Sequence, residues 1–122
     1  MLEIFIGDLM REVLLIIEIK NEQESTVYKC FGTLIKDIVQ AKKDDVLFIF
    51  DKKINRLIKK EKNTTVKIDL NNSIMEVISE NNNISFNICV SNLYNSDNIL
   101  RATYKVDENN FELFIEIKFL EV

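Results

Sequence analysis

The residues able to do chemistry are few, and their types exclude more than they suggest. The chain of 122 residues has no histidine. That removes the commonest general base, the commonest metal ligand and every serine–histidine or cysteine–histidine arrangement. Cys30 and Cys89 are far apart in sequence and provide no clustered zinc ligands. With two glycines, there is no glycine-rich phosphate loop. Carboxylates could still do acid–base work, but Asp44 and Asp45 read as loop residues. Glu112 and Glu116 are expected to have partners in Lys105 and Arg101. Asp69, Asn71, Ser73 and Glu80 fall at positions 1, 3, 5 and 12 of an EF-hand loop, yet Ile74 stands where that loop needs glycine. Ser73 and Glu76 instead form a capping-box pattern. The expectation is no catalytic residue, no cofactor and no metal site.

The charges are distributed unevenly. The formal net charge is −4, but residues 52–62 hold six bases and one acid. Lys52, Lys53, Arg56, Lys59 and Lys60 are therefore a candidate patch for an anionic partner. No aromatic residue is interleaved there for base stacking, and the rest of the chain would repel a polyanion, so nucleic acid is not the expected partner. The opposite candidate is acidic. Asp97, Asp107, Glu108 and Glu112 cluster in sequence around the last hairpin and are the expected contacts to a protein partner with a basic surface.

That hairpin sets the architecture. Residues 99–106 and 111–120 alternate apolar and polar, the period of paired strands. A four-residue loop would place Val106 opposite Phe111, Tyr104 opposite Leu113, Lys105 opposite Glu112 and Arg101 opposite Glu116. A second hairpin would pair Ile19 with Tyr28, Ile17 with Cys30 and Leu15 with Gly32, a glycine that marks a bulge or a close approach. Residues 2–6, 46–50, 65–70 and 84–90 also read as strands. Helical spacing in 33–45, an amphipathic stripe in 52–62 and the capping box at Ser73 predict one to three short helices, with a strand paired to 46–50 across a small turn near Lys52 as the competing reading of 52–62. The fold class is mainly β, with α+β as its variant. It is one antiparallel sandwich or barrel-like domain over residues 1–122.

No stretch is apolar for long enough to cross a bilayer as a helix, and the acidic start lacks the form of a signal peptide. A cytoplasmic location with free thiols is expected. The favoured function is a small acidic protein-binding domain that occludes its partner. Acidic, histidine-free single domains of this kind include toxin-neutralising immunity proteins and phage-encoded inhibitors, a likeness of general character rather than of motif. The alternative is an accessory subunit that self-associates through sheet edges, and a carboxylate-based enzyme comes third.

Overall fold

The computed structural model describes residues 9–120. Eleven strands follow one another: β1 (Arg11–Lys20), β2 (Ser25–Ile35), β3 (Ile38–Lys43), β4 (Val46–Asp51), β5 (Arg56–Glu61), β6 (Thr64–Asp69), β7 (Ile74–Ile78), β8 (Asn83–Asn87), β9 (Cys89–Asn95), β10 (Ile99–Val106) and β11 (Asn109–Phe119). They form one antiparallel sheet in the order β8-β7-β6-β5-β4-β3-β2-β1-β11-β10-β9.

The sheet is curled nearly into a barrel, and chain continuity shows why. β8 and β9 stand at opposite ends of the strand order, yet a single residue, Ile88, joins them. One continuous run of chain therefore pairs with β7 in its first half and β10 in its second. Polar bonds finish the seam. The Ile88 amide donates to the Ser73 carbonyl at 3.0 Å. Asn95 Nδ2 donates to the Lys52 carbonyl at 3.2 Å and to Asn55 Oδ1, and Asn55 Nδ2 donates to Asn71 Oδ1 at 3.0 Å. Closure of this kind removes open edges that would otherwise recruit other strands.

The core lies inside the curl. Val13, Leu15 and Ile17 of β1 are fully buried, and Leu100, Ala102, Tyr104, Leu113, Ile115 and Ile117 of the last hairpin are buried with them. These are the inward residues that alternation predicts. Tyr28 packs on Phe48 with ring centroids 4.8 Å apart, and Tyr104 stacks on Phe111 at 5.2 Å. Gly32 marks a close approach: a Cβ there would lie 2.1 Å from the Gln40 carbonyl oxygen.

The stretches read as short helices are strands, and for residues 52–62 that is the competing reading. In residues 33–45 a two-residue turn, Lys36–Asp37, sets Leu34 against Val39 and Ile35 against Ile38. That fold-over reproduces helical spacing without a helix. Residues 52–62 form a four-residue turn and then β5. Ser73 has φ of 58°, a left-handed turn conformation and not that of an N-cap. The residue 2–6 strand lies outside the described residues.

Both expected hairpin registers are two residues too loose. Tyr104 faces Phe111, Ala102 faces Leu113 and Leu100 faces Ile115, across a two-residue turn at Asp107–Glu108. In the first hairpin Ile17 faces Tyr28, Leu15 faces Cys30 and Val13 faces Gly32. A slip of two leaves each side chain on its own face, so the core survives but the cross-strand partners change. Glu112 faces Thr103, Lys105 faces Asn110 and Glu116 faces Ile99, so neither expected ion pair is directly opposed.

Candidate functional site

The side chains that turn away from the core are sorted by the same alternation. The candidate basic patch does not survive this sorting as one surface. Lys52 and Lys53 occupy the β4–β5 turn, Arg56 and Lys60 point outward from β5, and Lys59 points inward beside Leu57. Lys59 Nζ lies 3.3 Å from Glu61 Oε1 and 5.3 Å from the centre of the Tyr28 ring. Burial works against its charge, but the Tyr28 hydroxyl and the Glu61 carboxylate outweigh that and raise its pKa. Lys59 is therefore engaged by Tyr28 and Glu61 and does not share the outer face of Arg56 and Lys60.

The acidic cluster is also divided. Asp97 lies in the β9–β10 turn, whereas Asp107 and Glu108 form the β10–β11 turn. These are opposite ends of β10, whose eight residues span roughly 24 Å. Glu112 lies between them on the outer face of β11.

Glu112 does line a concavity on the outer face of the sheet. A groove of about 660 Å³ runs over the outside of β9, β10, β11 and β1, lined by Glu18, Tyr94, Arg101, Glu112 and Phe114, with Lys20 and Thr103 among their neighbours. The strand pairing explains the set. Tyr94 faces Arg101, Arg101 faces Phe114 and Phe114 faces Glu18, which forms one row across four strands. A bulge shapes the groove: Asn92 and Leu93 together oppose Ala102, and Asn92 takes φ of 53°. Such an insertion increases local twist and re-aims the following side chain. Tyr94 follows it and is 57% exposed. The Arg101 guanidinium stands 5.3 Å from the centre of the Phe114 ring. That contact gives the outward Phe114 a cover that is neither helix nor core. Glu18 is positioned by Ser25, whose hydroxyl donates to Glu18 Oε2 at 2.9 Å.

Sequence reasoning found Glu112. It missed Tyr94, which lies in what reads as a polar loop, and it assigned Arg101 to an ion pair. The signal available for both was type alone: Tyr and Arg are the residues over-represented in binding hot spots.

Among the described residues no group of three or more His, Cys, Asp or Glu side chains could hold a metal ion. In the Asp69 stretch the polar side chains serve their own turns. Asp69 accepts from the Asn72 amide at 3.0 Å and from Asn72 Nδ2 at 2.9 Å, and Asn71 accepts from Asn55. Cys30 is buried and Cys89 exposed, both as free thiols, and burial raises the Cys30 pKa. No helix among the described residues is long and apolar enough to cross a membrane. Comparison with protein-family models, with curated proteins and with solved structures found no match to this chain.

Proposed function

We propose that this chain is a protein-binding domain that works by occluding its partner, with the groove over β9, β10, β11 and β1 as the contact surface. One observation carries the reading: Tyr94, Arg101 and Phe114 form a single row along a groove of about 660 Å³, with Glu18 and Glu112 beside them. Rigid aromatic side chains and arginine supply most of the energy in interfaces where they sit centrally. Mixed charges beside them set orientation and select the partner. Across residues 89–122, six acids stand against three bases, which favours a partner with a basic surface. A toxin or another enzyme with a cationic active-site cleft fits that description, because an acidic convex barrel can seat on such a cleft and block it.

The seam weighs against the alternative of assembly through sheet edges. β8 and β9 are joined through Ile88, and hydrogen bonds to the turns of other hairpins cover part of their free sides.

The test is affinity capture from the source cell with wild-type protein and with Tyr94→Ala/Arg101→Ala as bait, followed by binding kinetics on whatever is captured. A partner retained by the wild type and lost by the double variant supports the groove. Its association should slow several-fold between 50 and 300 mM salt, while dissociation changes little. Equal capture by both baits would refute this site, and an association rate indifferent to salt would refute steering.

A further inference from the structure

We propose that the outer face of β2 and β3, centred on Phe31, is a second binding surface, one for single-stranded nucleic acid. It is a different face from the groove and does not rest on the reading above. Phe31 is 69% exposed, the most exposed large apolar side chain among the described residues. It is presented on a strand, with Leu14 opposite it on β1 and Lys42 opposite it on β3. The row continues from Lys42 to Leu47 and then to Lys60 on β5. Lys29 lies two residues from Phe31 on its own strand, on the same face.

This spacing has a physical consequence. Neighbouring strands are about 4.8 Å apart, and alternate residues on one strand about 7 Å. Lys29 and Lys42 therefore flank the ring on two sides, and Lys60 continues the line about 10 Å beyond Lys42. Exposed aromatic faces stack bases, and lysines at such intervals meet successive phosphates. A shallow depression of about 360 Å³ lies over Leu14, Lys29, Phe31, Lys42 and Lys43.

The local charge agrees. The outward positions of β2 and β3 contain no acid. Among the described residues no carboxylate forms an ion pair with Lys29, Lys42 or Lys60. Over residues 25–62, ten bases stand against five acids, while the remainder carries six bases against fifteen acids. In sequence, the basic stretch 52–62 lacks an aromatic residue. The sheet supplies one from β2, two strands beyond β4. The nearest acids on the same outer face are Glu12 and Glu18 of β1, opposite Thr33 and Val27 rather than Phe31, and acids more than about 8 Å from the ring are screened at physiological ionic strength.

The experiment is fluorescence anisotropy with 5′-labelled dT20 and U20 at 50, 150 and 400 mM KCl. A labelled 20-base-pair duplex, polyglutamate and phosphatidylglycerol vesicles serve as comparison probes. The expected result is binding of dT20 or U20 at 50 mM KCl that weakens steadily with salt. Phe31→Ala should weaken it by about tenfold or more, the loss of one stacked base. Lys42→Ala should reduce the dependence of log affinity on log salt by about 0.7. Lys67→Ala, a lysine of β6 away from the ring, should change affinity less than twofold. Phe31 is exposed, so its alanine variant should keep the wild-type melting temperature, which shows that the variant is folded. No binding at 50 mM KCl would overturn the proposal. So would equal affinity for duplex or polyglutamate, or indifference to Phe31→Ala, because each of these reduces the surface to unspecific polyanion attraction. Binding to the vesicles but to neither oligonucleotide would assign the face to anionic lipid and also refute it.

Discussion

Gly32→Ala should be among the most damaging single substitutions in this chain, although it adds one methyl group. A Cβ at this position would lie 2.1 Å from the Gln40 carbonyl oxygen and 2.6 Å from both Cα and Cβ of Ala41. Carbon meets a carbonyl oxygen at about 3.3 Å, so the clash is more than an ångström deep. The obstructing atoms are mostly backbone and cannot rotate away, so β2 and β3 must separate. The side chains packed around the contact are all core: Cys30, Leu34, Val39 and Ala41 are buried. Overpacking alone costs about 1–3 kcal/mol. Each ladder hydrogen bond stretched by the separation adds about 1 kcal/mol. The total, about 3–5 kcal/mol, is a large share of the 5–15 kcal/mol typical of a folded domain. With a urea slope of about 2 kcal/mol/M, the unfolding midpoint should fall by about 1.5–2.5 M. Urea unfolding can be followed by far-ultraviolet circular dichroism. Thr33→Ser, one residue along on the outer face, should stay within about 0.5 kcal/mol of wild type. A Gly32→Ala midpoint within 0.3 M of wild type, at unchanged slope, would refute the close approach between β2 and β3.

Further outcomes follow from the same geometry. Burial pushes the Tyr104 hydroxyl from 10.0 up to about 12, so the folded state holds a proton that the unfolded state releases. Stability is therefore full below about pH 10 and declines by roughly 3 kcal/mol by about pH 12. Tyr104→Phe should flatten that decline in urea titrations at pH 9 and 11.5, and an equally steep decline would refute the assignment. A double-mutant cycle between Arg101 and Phe114 should show coupling of about 0.5–1 kcal/mol, larger than the coupling of Arg101 to Glu116. Coupling confined to Arg101 and Glu116 would instead restore the looser register. Cys89 should react with a thiol reagent in the native protein, whereas Cys30 should wait for unfolding. Two fast thiols would contradict the burial of Cys30.

The faces of the strands were legible in the sequence, while their ends were not. Alternation placed Val13, Leu15, Ile17, Leu100, Ala102 and Tyr104 inward, and all are buried. Register depends on the turns, because a period-two pattern is unchanged by a slip of two. The usual turn markers are missing here. The chain has no proline, and Gly32, the one glycine among the described residues, lies inside a strand. The turns are built instead from Lys36, Asp44, Asn55, Lys62, Ser73 and Asp107 in left-handed conformations. That conformation carries a steric cost outside glycine, and tertiary closure must sustain it. Without punctuation, two short strands folded over a tight turn read as one helix, as Leu34, Ile35, Ile38 and Val39 did. The candidate site was legible only where a residue kept its face. Glu112 was expected outward and lines the groove, while Asp97 was grouped with Asp107 by sequence distance and stands at the other end of β10. The basic stretch 52–62 was expected as one patch, but alternation turns Lys59 inward while Lys60 remains outside.

The barrel seam and the groove are also physically linked, and this bears on how the site could bind. Tyr94 is the exposed aromatic of the groove, and the next residue, Asn95, points to the opposite face. There Asn95 bonds to the Lys52 carbonyl and to Asn55 in the β4–β5 turn. The strand that presents Tyr94 is thus anchored at its end by the contact that closes the barrel. On its other side β9 is held to β10 through the bulge, with Arg101 directly opposite Tyr94. Two independent attachments leave the backbone under Tyr94 little freedom to lose on binding. A surface fixed in advance keeps more of its contact energy as affinity, since ordering a mobile strand would otherwise cost part of it. The asparagines of the seam, which carry no chemistry of their own, then contribute to recognition by holding the groove in shape.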